Sequence, residues 1–275
     1  MKRGLFRSLA ASFFLIGTAA SSNAAILYAT NGAGRSTLSN LYTIDTTTGA
    51  ATLIGATGFG EVAGIDFDPT TGILYGVSNT GVGTLITINT STGAGTAIAT
   101  LSPDFQAPDL AFSSSGTLYS WSEASLDHLN IINKTTGATT DVGPSGVGTA
   151  NTGLGFAPDG TLYMKSGEAL YNINSTTGAA TFDIGFVTPI VLRNSLVFDS
   201  AGEAYTLDKS GNLYLLNVST GNATDIGPTG VSSMSGLAFA PMAVAEPAVL
   251  PLFASGLIGL GLLLWRRQRK QAAAA

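Results

Sequence analysis

Cysteine is absent from the 275 residues, and histidine occurs once, at His128. Disulfides, thiolate metal centres and cysteine nucleophiles are therefore excluded, and one imidazole is too few for a conventional zinc site. Charge is scarce too, at 11% of residues. Between Ala25 and Pro241 five basic side chains (Arg35, Lys134, Lys165, Arg193, Lys209) stand against sixteen acidic ones. That acidic balance argues against nucleic acid and against docking on anionic lipid. Neither a G-x-x-x-x-G-K-[ST] phosphate loop nor a G-x-S-x-G nucleophile elbow occurs. Long apolar runs are confined to the two ends of the chain.

The N-terminal run reads as a secretory signal. Lys2, Arg3 and Arg7 precede an apolar core from about Leu9 to Ala20, and Ser22-Asn23-Ala24 supplies the small residues that signal peptidase reads. Residues 1–24 are expected to be removed by cleavage between Ala24 and Ala25. At the other end, Ala248–Trp265 is a mostly apolar run of eighteen residues. As a helix rising roughly 1.5 Å per residue it reaches about 27 Å, enough for a bilayer's hydrocarbon core. Arg266, Arg267, Arg269 and Lys270 follow at once and are expected to stay cytoplasmic. The organisation predicted is a signal peptide (1–24), one folded domain (25–241), a linker with a processing motif (242–247), a transmembrane helix (248–265) and a basic tail (266–275).

Ala245-Glu246-Pro247, the glycine-bearing span (Gly256, Gly259, Gly261) and the Arg cluster come in a three-part order. This order resembles the PEP-CTERM sorting signal of exported proteins in Gram-negative bacteria. The resemblance covers about a tenth of the chain, and Ala245 stands where the family motif has its first proline. It implies a membrane-embedded exosortase that cuts near Glu246-Pro247. It also implies transient anchoring in the inner membrane with the domain on the periplasmic side. Release to the cell surface or extracellular matrix would follow, in a bacterium that secretes exopolysaccharide.

The interior is periodic. IDTTTG, INTSTG, INKTTG, INSTTG and LNVSTG end at Gly49, Gly93, Gly137, Gly178 and Gly221, with spacings of 44, 44, 41 and 43 residues. The flanks alternate apolar and polar at period two, so the repeat is β and not helical. Asp45, Asn89, Asn133, Asn174 and Asn217 can each fold a side-chain oxygen onto a backbone N–H two residues on, and the glycine supplies a positive φ. This turn chemistry also accounts for the N-x-Ser/Thr pattern at the four asparagines.

A second signature, running through GIDFDPTTGILYG, DLAFSSSGTLYS, GLGFAPDGTLYM and SLVFDSAGEAYT, pairs a strand ending in Phe with a strand carrying Tyr. Its small residues Ala111, Gly155, Val197 and Ala238 suit an innermost strand near a narrow axis. A last copy, Gly236–Pro241, stops after this strand, while Ile26–Thr30 begins with the missing second one. The prediction is an all-β, five-bladed β-propeller of about 43-residue repeats. One blade is split, with three strands from the start of the domain and one from its end.

Chemistry is thin. His128 is expected in an exposed hairpin loop, and Trp121 in the core of an outer strand. Most Tyr and Phe residues are expected between blades. Asp66 and Asp109 fall in or at the start of inner strands, where the other repeats have Gly, Ser, Ala or Val; Asp68 and Asp159 have turn roles. No catalytic, cofactor-binding or metal residue is assigned, although Asp66 or Asp68 could contribute to a calcium site. Together with the resemblance, the residues imply an exported, non-catalytic surface or matrix propeller associated with exopolysaccharide or biofilm. The rival is a secreted hydrolase or lyase acting on carbohydrate with carboxylates in the channel. Three or more acids converging at one channel mouth favour the rival, and a lining of small apolar residues the binding module.

Overall fold

The computed structural model describes residues 25–32, 38–101, 109–122, 127–148, 152–187 and 195–241. The signal peptide, the linker with Ala245, Glu246 and Pro247, the span and the basic tail lie outside them. Among the described residues no helix is long and apolar enough to cross a membrane.

Twenty strands form five antiparallel sheets of four. Blade 1 takes β1 (Leu27–Asn31), β2 (Leu38–Ile44) and β3 (Ala51–Gly60). Blade 2 is β4 (Val62–Phe67), β5 (Leu74–Ser78), β6 (Thr84–Ile88) and β7 (Gly95–Thr100). Blade 3 is β8 (Leu110–Phe112), β9 (Leu118–Ser122), β10 (His128–Ile132) and β11 (Thr139–Pro144). Blade 4 is β12 (Gly153–Phe156), β13 (Leu162–Ser166), β14 (Ala169–Ile173) and β15 (Ala180–Gly185). Blade 5 is β16 (Val197–Phe198), β17 (Ala204–Leu207), β18 (Asn212–Leu216) and β19 (Ala223–Pro228). The last strand, β20 (Met234–Phe239), returns to blade 1 as its innermost strand. It pairs antiparallel with β1, Leu27 opposite Phe239 and Thr30 opposite Gly236. The split blade therefore closes the ring as the two partial copies predict.

The repeated turn is built as its residue types require. Asp45, Asn89, Asn133, Asn174 and Asn217 accept at Oδ1 from the N–H two residues on, at 2.7–3.0 Å. The closing glycines have φ between 68° and 80°. Each also lies against the outer strand of the preceding blade. A Cβ on Gly93 would come within 2.5 Å of the Gly55 carbonyl oxygen, and one on Gly137 within 2.8 Å of that of Thr100. At Gly49, Gly178 and Gly221 it would collide with the carbonyls of Gly227, Gly143 and Gly185. The glycine that marks the repeat thus serves a close approach between blades as well as a left-handed turn.

The core lies between the blades. Five hydrophobic clusters fill the five interfaces, that between blades 5 and 1 combining Leu27, Tyr42 and Leu237 with Tyr205, Leu207 and Leu213. Trp121 on β9 is fully buried in the cluster between blades 3 and 4. Six or more apolar side chains from two sheets at each interface replace the disulfides that the chain lacks.

Candidate functional site at the propeller axis

Each inner strand turns its Leu (Ile65 in blade 2) and Phe toward the preceding blade; the intervening positions, small in most copies, face the next. At the Phe end, the phenyl ring packs on the Tyr of the preceding blade's second strand. Centroid distances are 5.5 Å for Tyr28–Phe67, 5.4 Å for Tyr75–Phe112 and 5.5 Å for Tyr119–Phe156. Tyr163–Phe198 and Tyr205–Phe239 each stand at 5.3 Å. All five are tilted or edge-to-face, the arrangement that the ring quadrupoles favour. Phe and Tyr therefore sit between blades, in a closed circle.

The small residues meet the next inner strand almost backbone to backbone. A Cβ on Gly64 would lie 2.6 Å from Asp109 Cα, and one on Gly155 2.6 Å from the Leu196 carbonyl oxygen. The crowding inferred for a narrow axis is thus a crowding of neighbouring strands. Asp66 and Asp109 occupy two of these positions, and their carboxylates take up edge N–H groups of the following blade. Asp66 Oδ2 accepts from Phe112 N at 2.6 Å and Oδ1 from Phe67 N at 2.8 Å. Asp109 Oδ2 accepts from Leu154 N and Oδ1 from Leu110 N, both at 2.9 Å. Desolvation nonetheless pushes the Asp66 carboxyl up to about 7, with the nearby Asp68 charge adding to the rise and the two amides opposing it. Asp66 keeps an opening onto the axis but is enclosed by protein on all other sides. Asp109 is buried, and desolvation holds it well above the usual carboxylate range, again against its backbone donors.

A cavity of about 200 Å³ opens at the Phe end of the axis and is lined from all five inner strands. Asp66 and Ser114 are its only side chains with polar groups among the described lining residues; the remainder are Phe, Leu, Val, Pro, Ala and Gly. Its outer mouth, a further hollow of about 220 Å³, is bordered by Ala25, Pro69, Pro158 and Pro241.

Asp68 behaves differently from Asp66. Its Oδ1 accepts from Thr70 N and Oγ1, its Oδ2 from Lys134 Nζ at 2.6 Å, and Lys134 in turn lies 5.4 Å from the Phe112 ring centroid. Burial raises the Asp68 pKa, but hydrogen bonds from Lys134 and Thr70 overcome it and bring it down to about 2. The candidate calcium residues therefore diverge, Asp66 toward the axis and Asp68 to an inter-blade ion pair. No group of three acidic or imidazole ligands converges among the described residues. Asp159 keeps its turn role, accepting from Thr161 N at 2.9 Å.

His128 departs from expectation. It opens β10 and is partly buried, with Nδ1 2.8 Å from Asp141 Oδ1 on β11. It is placed by pairing on both sides, opposite Ser122 of β9 and Pro144 of β11. Two further residues escape sequence reasoning. Lys134 is the only basic residue within the five repeated turns, and that singularity is its signal. Lys165 is fully buried on β13, at the register position of Val77, Trp121 and Leu207.

No family model and no curated protein matches the chain. Solved structures do match. A chain from the crystal structure of a nidogen–laminin complex is 13% identical with a TM-score of 0.55, covering 78% of this chain and 98% of that one. TolB from Acinetobacter baumannii is 12% identical with a TM-score of 0.50, over 78% of this chain and 66% of that one. A protein of unknown function from Bacteroides thetaiotaomicron is 17% identical with a TM-score of 0.52, over 74% and 56%. The chain is a five-bladed β-propeller. At these identities the likeness carries the fold and no activity.

Proposed function

We propose that this is an exported, non-catalytic surface or extracellular-matrix propeller, delivered by its PEP-CTERM-like tail and associated with exopolysaccharide or biofilm. The observation that carries the reading is where the domain's ends lie. Ala25 and Pro241 border the same axial mouth, and the apolar span begins only six residues beyond Pro241. A domain tethered this way can be held at a membrane and then cut free near Glu246-Pro247 without opening its ring. Six extended residues reach at most about 21 Å, so the Phe end of the axis faces the bilayer while the tether is intact.

The non-catalytic half of the reading draws on the axis itself. One carboxylate, Asp66, lines the cavity among the described residues, beside apolar side chains. Asp109 and Asp66 are each engaged by two backbone donors. The rival, a carbohydrate-active enzyme, draws on the raised pKa of both acids, since a general acid must hold its proton near neutrality. Fractionation of the native host with intact-mass measurement tests the sorting reading: a mature chain that starts near Ala25 and ends near Glu246 is expected. A full-length C-terminus in surface material would reduce the tail to a plain anchor. Loss of a measured polysaccharide cleavage in Asp66→Asn or Asp109→Asn would transfer the case to the enzyme.

A further inference from the structure

The axial cavity joins two features: lining side chains that are apolar apart from Asp66 and Ser114, and a carboxylate with no cationic partner among the residues that line it. Lys134 is held away by Asp68. Asp66 uses two of its roughly four lone-pair sites on backbone amides, which leaves acceptor capacity facing the cavity. The lining discriminates among ligands. A sugar brings several hydroxyls, and only Asp66 and Ser114 offer side-chain partners, so the rest would depend on backbone groups of the inner strands. A calcium ion takes six to eight oxygens, and the lining side chains supply only those of Asp66 and Ser114. An anion would meet Asp66 with Asp68 and Asp109 close behind it. A neutral apolar molecule would give the lone pairs of Asp66 that its two backbone donors leave free no partner.

What fits is a positive charge carried on a small apolar body. Phe67, Phe156, Phe198 and Phe239 border both the cavity and its mouth, so any occupant meets the part of each ring that its Tyr neighbour leaves uncovered. Aromatic rings and one carboxylate together are the chemistry that recognises alkylated ammonium groups. Phe112, which lies under the Lys134 ammonium, shows one ring of this circle already in contact with a cation.

We propose that the axial cavity binds a small organic ammonium ion, with Asp66 as its counter-charge and the inner-strand phenyl rings as its walls. The site rests on the binding-module half of the proposed function and not on the tail. Such a group is carried both by free molecules such as choline and by zwitterionic lipid headgroups. Asp66 gains the charge that the ligand needs as pH rises through about 7, a value set by burial and by the Asp68 charge against two backbone donors.

The test uses the full-length protein in maltoside, titrated with choline, with monomeric dihexanoyl phosphatidylcholine, and with 3,3-dimethylbutan-1-ol, the uncharged isostere of choline. Binding of choline or of the short-chain lipid, at least about tenfold tighter than that of the isostere, is expected. The tighter of the two identifies the source of the group. Asp66→Asn, checked for an intact melting transition, should lose that preference. Equal binding of the isostere, no binding of either ammonium ligand, or unchanged choline binding in a folded Asp66→Asn protein would each overturn the proposal. The isostere comparison needs only the natural sequence, so it decides the matter even if the variant fails to fold. None of these results touches the sorting reading, which the intact mass decides.

Discussion

Tyr205 and Phe239 bring their ring centroids to 5.3 Å with the planes at 69°, and this contact joins the last complete blade to the strand that closes the first. The other four Tyr–Phe contacts link blades whose strands follow one another along the chain. This one spans the seam. Burial, with Glu203 accepting from the hydroxyl, pushes the Tyr205 phenol up to about 12, so the ring is neutral near pH 7.

Phe239→Ala should therefore destabilise the domain, by less than the roughly 3–5 kcal/mol that removing a fully buried aromatic costs, because the ring is only partly buried. Deleting 234–241 should do worse, because β1 loses its ladder partner and the ring gains two open edges. Urea unfolding followed by tyrosine fluorescence measures the first, and size-exclusion chromatography the second. A deletion variant that stays monomeric and melts within a few degrees of the parent would rule out the seam as a determinant of stability.

Stability should fall as pH rises from about 4 to about 7, the reverse of ordinary acid sensitivity. Asp66 has an ordinary pKa of 3.8 when unfolded and about 7 when folded, so the folded chain holds an extra proton across that window. Asp109 is shifted in the same direction. Asp68 works oppositely at the acid end: lowered to about 2, its contribution is complete above about 4 and is lost as pH falls toward 2. A urea midpoint highest near pH 4 is the expectation, and Asp66→Asn should flatten the limb above it. A midpoint that climbs steadily from pH 4 to 7 would refute this account.

Lys134 ties blade 3 to blade 2 through Asp68 and lies over Phe112. The lysine is partly exposed and the aspartate is not, so the pair is worth more than an open surface pair. Lys134→Met keeps the stem and removes the charge, and should destabilise by about 1–2 kcal/mol. It should also release Asp68 from its low pKa, which would move the acid limb of the stability profile to higher pH. An acid limb that stays in place would show that Thr70 and the turn amides alone hold Asp68 down.

Glu246→Ala together with Pro247→Ala leaves the apolar span and its basic stop unchanged. If the tail is a processing signal, this variant should accumulate at full length in the inner membrane of the native host. A plain anchor would show no difference between variant and parent on an anti-propeller immunoblot of membrane and surface fractions.

What could be read from the sequence was whatever repeats or sits locally. The Asx turns ending at Gly49 and Gly93, the Phe–Tyr strand pair and the split blade all follow from short-range chemistry copied five times, so their signals reinforce one another. Contacts between blades are another matter. Lys134 and Asp68 are 66 residues apart, and Asp109 and Leu154 are 45 apart. Nothing in either segment alone announces its partner. The available clue was exception to the repeat: an acid where other copies have Gly, Ser, Ala or Val, and a lysine where they have Thr, Ser or Val. His128 was misplaced in a hairpin loop because what makes it the first residue of β10 is pairing with Ser122 and Pro144, which its own segment does not announce.

The placement of Pro241 at the axial mouth also fixes how the domain responds to a pull. A tug on the segment after Pro241 draws β20 along its own length, past β1 and not away from it. The ladder from Leu27–Phe239 to Thr30–Gly236 is then loaded in shear, with its hydrogen bonds sharing the force instead of failing one at a time. The seam of the ring is in this sense a mechanical clasp, oriented to hold against tension on the strand that closes it.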